Sequence, residues 1–236
     1  MSVQSLFIRH GGDEQRICFA TVQGATSEEF LSASEIEQLA GLKFAAKQQS
    51  FLQGRLAAKR ALGVLLEETD LRRIEIRSGI YGQPLVHHPL AGTTQVSVSH
   101  SHGYAGALAF PAAYPMGIDL ETVAAVSAAT IIGELGASPA ELTWLATGGV
   151  DSATACGVLW TAREALGKAL KIGLNSPLGM LSLSEIQSSG EGIWAGRYLN
   201  FPQCQCLALV KGGRVLTVAL PRVAALSAQL QLDQQS

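Results

Sequence analysis

The chain has 236 residues, 47% hydrophobic and 15% charged, which supplies material for an extensive core and is not the composition of a disordered chain. A formal net charge of −2 provides no global basic field, so nonspecific nucleic-acid binding is not expected. The length fits one large domain or two of about 110 residues each. The four cysteines, Cys18, Cys156, Cys204 and Cys206, form no CxxC pair and are not spaced as a disulfide scaffold. The opening "MSVQSLFIRHGGDEQ" lacks the basic-then-apolar layout of a signal peptide, and no unbroken apolar run approaches the roughly 18 residues of a membrane span. A soluble, reduced, cytoplasmic protein is expected.

In chain order, residues 3–8 and 16–22 fit short strands. Within "TSEEFLSASEIEQLAGL" Ser34 and Glu37 have the spacing of a capping box and predict a helix start. "AAKQQSFLQGRLAAKRALGVLLEE" predicts a helix with Phe51, Leu52, Leu56, Ala58, Leu62, Leu65 and Leu66 on its apolar surface; Arg55 and Lys59 share a face. "IEIRSG" fits a strand and "GIYGQPLV" a turn. "QVSVSHSHG" alternates like a half-buried strand and breaks at Gly103; "YAGALAF" and "MGIDLE" are further strands, with "PAAYP" a linker between them. "SPAELTWLA" predicts a short helix entered at Ser138 and Pro139. "DSATACGVLWTAREALGKALKIG" predicts a long one, capped by Asp151 or Ser152 and stopped by Gly173. "CQCLALV", "KGG" and "RVLTVAL" read as two strands around a tight turn. The last fifteen residues lose pattern, which predicts a mobile tail. No strong internal repeat is visible, though both halves pair a substantial helix with short strands. The class is α+β.

The pentapeptide "GIDLE" places Asp119 and Glu121 on one face of a strand, with Ile118 and Leu120 on the other. Two convergent carboxylates on a rigid strand suit Mg²⁺, a hard cation that takes oxygen ligands; two solvated acids at a strand end fit the pentapeptide equally. On the long helix Trp160, Glu164, Lys168 and Lys171 form one stripe, and Leu159, Ala162, Leu166 and Leu170 a second that can face the core. Glu164 and Lys168 also read as an ordinary surface ion pair, against which Trp160 on the same stripe argues. Ser99 and His100 at a strand end can hydrogen-bond phosphate oxygens. His100 and His102 share a face that could bind a transition metal, although polar capping of the strand fits better. Arg55, Lys59 and Arg60 can hold phosphates or form a solvated face. Neither a P-loop nor a GxGxxG after a strand is present.

Taken in order, "FLQGRLAAKRAL", "YGQPLV", "VSVSHSHG", "GIDLE" and "WTAREALGK" resemble the motif series of the Sfp-type 4′-phosphopantetheinyl transferases over roughly residues 48–175. The resemblance implies a pseudo-dimer of two similar α+β halves, residues 1–114 and 115–236, with coenzyme A bound at their junction. It implies Mg²⁺-dependent transfer of the phosphopantetheine arm of coenzyme A to a serine of an apo acyl, polyketide or peptidyl carrier protein, releasing adenosine 3′,5′-bisphosphate. Asp119, Glu121 and Glu164 would hold the metal, Glu164 would also take the serine proton, and Lys168 would bind the pyrophosphate. Ser99 and His100 would contact the 3′-phosphate, helped by basic residues such as Arg55 and Lys59; Gln83 and Pro84 would lie by the adenine; Arg163 would add a further coenzyme A contact. Such a chain can complete its site as a monomer, with no nucleic-acid or membrane partner.

Three departures matter. The family usually has Lys where Arg163 and Gln83 stand, and the Ala-rich segment 122–137 lacks the aromatic pair common there. Two other classes remain open: a noncatalytic coenzyme A- or carrier-binding module of the same fold, and a different Mg²⁺-dependent phosphate-ester enzyme such as a nucleotide pyrophosphatase.

Overall fold

The computed structural model describes residues 3–123, 127, 129–134, 136–173 and 177–232. It divides into two compact units, Met1–Pro115 with Ala224–Asp233, and Met116–Val223. Among the described residues no helix is long and apolar enough to cross a membrane.

The first unit opens with a hairpin, β1 (Val3–His10) and β2 (Asp13–Gln23). Two helices follow, α1 (Ala33–Ala40) and α2 (Ala45–Leu66), then the hairpin β3 (Glu75–Ser78) and β4 (Pro84–His87). A third hairpin, β5 (Thr94–Ser101) and β6 (Tyr104–Pro111), joins the sheet through β6 and β2. The last strand, β12 (Ala225–Leu226), closes the order β12-β1-β2-β6-β5. The helix α2 lies on this sheet, with Ala57, Ala58, Ala61 and Leu62 packed against Cys18, Ala20, Val22, Val96, Ala105 and Ala107. A run of alanines on that face lets the helix backbone sit close to the strands.

The second unit repeats this plan. It begins with β7 (Gly117–Thr122), continues through α3 (Pro139–Thr147) and α4 (Ser152–Ala169), and ends in a meander. The meander strands are β8 (Leu183–Gly190), β9 (Ile193–Tyr198), β10 (Cys204–Lys211) and β11 (Arg214–Pro221). The sheet order is β7-β11-β10-β9-β8, and α4 supplies Ala155, Val158, Leu159, Ala162 and Leu166 to the core beneath it.

A repeat that sequence inspection overlooks becomes plain here. Ala58-Lys59-Arg60-Ala61-Leu62-Gly63 of α2 corresponds to Ala162-Arg163-Glu164-Ala165-Leu166-Gly167 of α4. In each copy the chain folds back over the glycine: a Cβ on Gly63 would stand 2.9 Å from the Glu68 carbonyl, and one on Gly167 2.9 Å from that of Gly173. Four residues beyond each glycine, Glu67 and Lys171 both take φ of 58°. The short helices match too. Ser32 caps α1 in a capping box with Glu35, and Ser138 caps α3 in a capping box with Glu141.

Both glutamates are fully buried and make the same three contacts. Glu35 accepts from its cap backbone (Ser32 N, 2.9 Å) and from the first strand of the next hairpin (Ile76 N, 3.1 Å), and it pairs with Lys59. Glu141 accepts from Ser138 N at 2.8 Å and Leu183 N at 2.9 Å, and pairs with Arg163 at 2.6 Å. Each therefore ties a short helix, a long helix and a strand edge together, and each buried charge has its partner and its hydrogen bonds.

Several sequence expectations change. The capping serine of α1 is Ser32, not Ser34, because Glu35 can be buried against Lys59 while Glu37 stays exposed; Ser34 donates to Glu75 instead. The turn assigned to "GIYGQPLV" gives way to strand at Pro84. The helix ends at Ala169 rather than running to Gly173, so Lys171 leaves the stripe of Trp160, Glu164 and Lys168. The predicted mobile tail is anchored as far as residue 232: Ser227 donates to the Phe7 carbonyl at 2.8 Å, Gln231 to Gln4 at 3.0 Å, and Leu230 and Leu232 are buried. Residues 224–233 thus belong with the first unit. Of the Ala-rich segment, 124–126, 128 and 135 lie outside the described residues.

One contact sets how close α4 comes to β7. A Cβ on Gly117 would lie 2.1 Å from the Ala165 carbonyl oxygen and 2.5 Å from the Ala169 nitrogen, both backbone atoms that cannot swing aside. Only glycine allows the strand to meet the helix there. Gly117→Ala must push the two apart, so it is expected to cost at least about 2 kcal/mol of unfolding free energy, measured by chemical denaturation. A variant within about 0.5 kcal/mol of wild type would show that the approach is not tight.

Candidate active site

Because Gly117 faces α4, so do Asp119 and Glu121, two and four residues along the same strand. Ile118 and Leu120 point to the opposite face and are buried. Asp119 is 5% exposed, and its carboxylate receives the Lys168 ammonium at 2.6 Å. Lys168 and Glu164 stand one turn apart on α4, which puts both on the side that meets β7.

Glu164 is half-buried, and its carboxyl is pushed up to about 7. Burial is the largest cause; the Asp119 carboxylate pushes in the same direction, the Lys168 cation opposes it, and Glu121 adds a smaller upward push. All three carboxylates therefore act on one small volume, with Lys168 the cation set against them. Glu121 turns one oxygen onto the Thr122 backbone N–H at 2.9 Å. With Lys168 on Asp119 and Glu121 so turned, no three His, Cys, Asp or Glu side chains among the described residues stand grouped as a metal ion would require. The donor chemistry nonetheless suits a hard divalent cation: three carboxylates on two rigid, facing elements, in mutual repulsion.

Behind these groups α4 is held on every side. Thr161 Oγ1 lies 2.6 Å from Thr217 Oγ1 of β11, both fully buried. The Tyr198 hydroxyl of β9 donates to the Ala162 carbonyl at 2.7 Å. Arg163 donates to Glu141 at 2.6 Å and to Ser182 Oγ at 3.1 Å.

The remaining expected site residues fall as follows. Arg163 and Lys59 are 1% and 0% exposed, and each cation lies on a buried glutamate. Held on these glutamates, the two residues expected to contact coenzyme A serve as framework ion pairs in this structure and are not presented to a ligand. Arg55 stacks over Phe51 and stands 3.4 Å from Glu35 and 3.5 Å from Gln38. Ser99 is buried and His100 exposed on β5. His102 lies beyond that strand with φ of 48° and bonds Ser101 at 2.8 Å, so it does not continue the alternation that would pair it with His100. Gln83 closes the turn between β3 and β4, accepting the Tyr81 N–H through its side chain at 2.9 Å and the Gly79 N–H through its carbonyl at 2.7 Å. Pro84 begins β4. Glu141, Gly117 and the Thr161–Thr217 pair were not singled out from sequence; the capping-box spacing of Ser138 and Glu141 was the available signal for the first.

The sequence model of the 4′-phosphopantetheinyl transferase superfamily matches residues 115–219, the span that carries Asp119, Glu121, Glu164 and Lys168. Holo-[acyl-carrier-protein] synthases of Streptococcus agalactiae serotype III (strain NEM316) and serotype V (strain ATCC BAA-611 / 2603 V/R) are each 35% identical to this chain over 111 residues, 43% of this chain and 93% of the relative. The chain belongs to the 4′-phosphopantetheinyl transferase superfamily. Among solved structures, a holo-(acyl-carrier-protein) synthase from Bacillus anthracis str. Ames in complex with CoA (3′,5′-ADP) is similar at 22% identity. The alignment covers 44% of this chain and 96% of that one, with a TM-score of 0.36. The Helicobacter pylori holo-[acyl-carrier-protein] synthase in complex with coenzyme A aligns over 39% and 96% at 21% identity, with a TM-score of 0.32. In this phosphopantetheinyl transferase the acidic cluster lies wholly in the second unit. The first unit's copy of the helix has Arg60 and Val64 where the second has Glu164 and Lys168.

The cluster has a pH signature in metal-free protein. Glu164 binds its proton up to about pH 7 when folded and only to its ordinary value of 4.5 when unfolded. Between those values the folded state holds more protons, so stability is fullest below 4.5 and falls as pH rises toward 7. Glu164→Gln removes that fall: without divalent cations its melting temperature should overtake wild type as pH rises from 5 to 7.5. Parallel pH profiles for the two proteins would contradict the placement of Glu164.

Proposed function

We propose that this protein is an Sfp-type phosphopantetheinyl transferase that moves the 4′-phosphopantetheine arm of coenzyme A to a serine of an apo carrier protein. The observation that carries the reading is the facing arrangement of Asp119, Glu121, Glu164 and Lys168 on β7 and α4, within the span matched by the family. Two similar units in one chain favour the Sfp type. The named relatives, holo-[acyl-carrier-protein] synthases, support an acyl carrier protein as the acceptor class.

Asp119, Glu121 and Glu164 would hold Mg²⁺, which when bound supplies charge neutralisation at the pyrophosphate, the main demand of phosphoryl-type transfer. Lys168 leaves Asp119 and places its ammonium on the pyrophosphate, stabilising the departing charge. Glu164 accepts the proton of the carrier serine as its oxygen bonds to phosphorus. The phosphorus–oxygen bond to the nucleotide side breaks, and adenosine 3′,5′-bisphosphate leaves. Van der Waals closeness of β7 and α4 keeps these groups on rigid elements, which such positioning requires.

The test is intact-mass spectrometry of apo acyl and peptidyl carrier proteins after incubation with the protein, coenzyme A and Mg²⁺. A phosphopantetheine-sized gain that EDTA prevents is expected. Glu164→Gln should lower the rate at least 10²-fold while remaining folded, since it loses a ligand and the base. Cleavage of coenzyme A without a carrier would favour a pyrophosphatase, and coenzyme A binding with no gain on any carrier would favour a binding module.

A further inference from the structure

We infer that Arg163 is a positioning residue that, clamped by Glu141, sets the rotation of α4 and so the place of the Glu164 carboxylate opposite Asp119 and Glu121. The inference rests on the cation site proposed above. Arg163 and Glu164 are successive residues, so their side chains leave the helix about 100° apart. One is directed to α3 and the start of β8, the other toward β7. A helix side-chain tip stands roughly 5 Å from the axis, so a rotation of about 10° displaces it by about 1 Å. Metal ligation tolerates only a few tenths of an ångström. Whatever fixes the rotation of α4 therefore fixes whether Glu164 can ligate.

Arg163 is built for that task. It is the largest fully buried side chain among the described residues, and its guanidinium reaches Glu141 at 2.6 Å and Ser182 Oγ at 3.1 Å. Glu141 is itself immobilised by the Ser138 and Leu183 backbone N–H groups, and Ser138 Oγ donates back to the Leu183 carbonyl at 2.6 Å. The anchor is thus backbone at both ends. The first unit holds the equivalent position of α2 with a lysine, Lys59 on Glu35, in a unit whose helix carries Arg60 in place of the acidic residue. That copy shows that a buried lysine can make the clamp, and that the clamp does not depend on a ligand.

The test measures Mn²⁺ affinity by electron paramagnetic resonance with coenzyme A present, alongside kcat and KM for coenzyme A at saturating Mn²⁺. Arg163→Met should weaken Mn²⁺ at least tenfold while KM for coenzyme A changes less than threefold; Arg163→Lys should stay within threefold of wild type in both. Glu141→Gln, which removes the charge and keeps only one of the two oxygens that accept from Ser138 and Leu183, should follow Arg163→Met. A folded Arg163→Met with unchanged Mn²⁺ affinity overturns the inference, whether or not KM for coenzyme A rises. If neither neutral variant folds, Arg163→Lys decides, and a tenfold loss of Mn²⁺ affinity there counts against the clamp. Wild-type protein that binds no Mn²⁺ overturns the cation site and the inference with it.

Discussion

The approach of α4 to β7 at Gly117 is the constraint on which the acidic site depends. A side chain at that position would collide with two backbone atoms of the helix, so the absence of one brings Asp119 within reach of Lys168. The strand's period of two then carries Glu121 to the same side, and the helix's period places Glu164 one turn before Lys168. Burial first, and the neighbouring Asp119 carboxylate second, raise the proton affinity of Glu164.

The rest of the second unit holds that approach in place. Threonine hydroxyls lock α4 to β11, a tyrosine hydroxyl locks it to β9, and the Glu141–Arg163 pair locks it to α3 and β8. The same framework of capped short helix, buried glutamate and clamped long helix recurs in the first unit, where no glutamate occupies the position of Glu164. Framework and chemistry are therefore separable. The buried ion pairs belong to the framework common to both units, and the carboxylates on β7 and α4 are an addition to one of them.

This separation explains what the sequence disclosed and what it hid. Asp119, Glu121, Glu164 and Lys168 were legible because strand and helix periods decide faces without knowledge of the tertiary fold. The core stripe of Leu159, Ala162 and Leu166 was legible for the same reason. The ion pairs of Lys59 and Arg163 could not be read from sequence. A basic residue on a helix looks like a ligand for phosphate until its buried partner is known, and Glu35 and Glu141 lie about twenty residues away in another element. The strands β8 and β9 escaped because "SLSEIQSSGEGIWAGRY" is polar and glycine-rich, and its pairing is supplied by β10 rather than by local alternation. The repeat was hidden by its shortness: six residues in each helix, with the chemically decisive position changed from Arg60 to Glu164.

The central claim is that β7 and α4 together present three carboxylates to one divalent cation. It is tested most directly by crystals grown with Mn²⁺ and coenzyme A, using the anomalous signal of manganese. The account predicts one strong peak between β7 and α4, within about 2.3 Å of oxygens from Asp119, Glu121 and Glu164, with Lys168 moved from Asp119 to the pyrophosphate. A metal held by phosphate and water alone, with Lys168 still on Asp119, would contradict it.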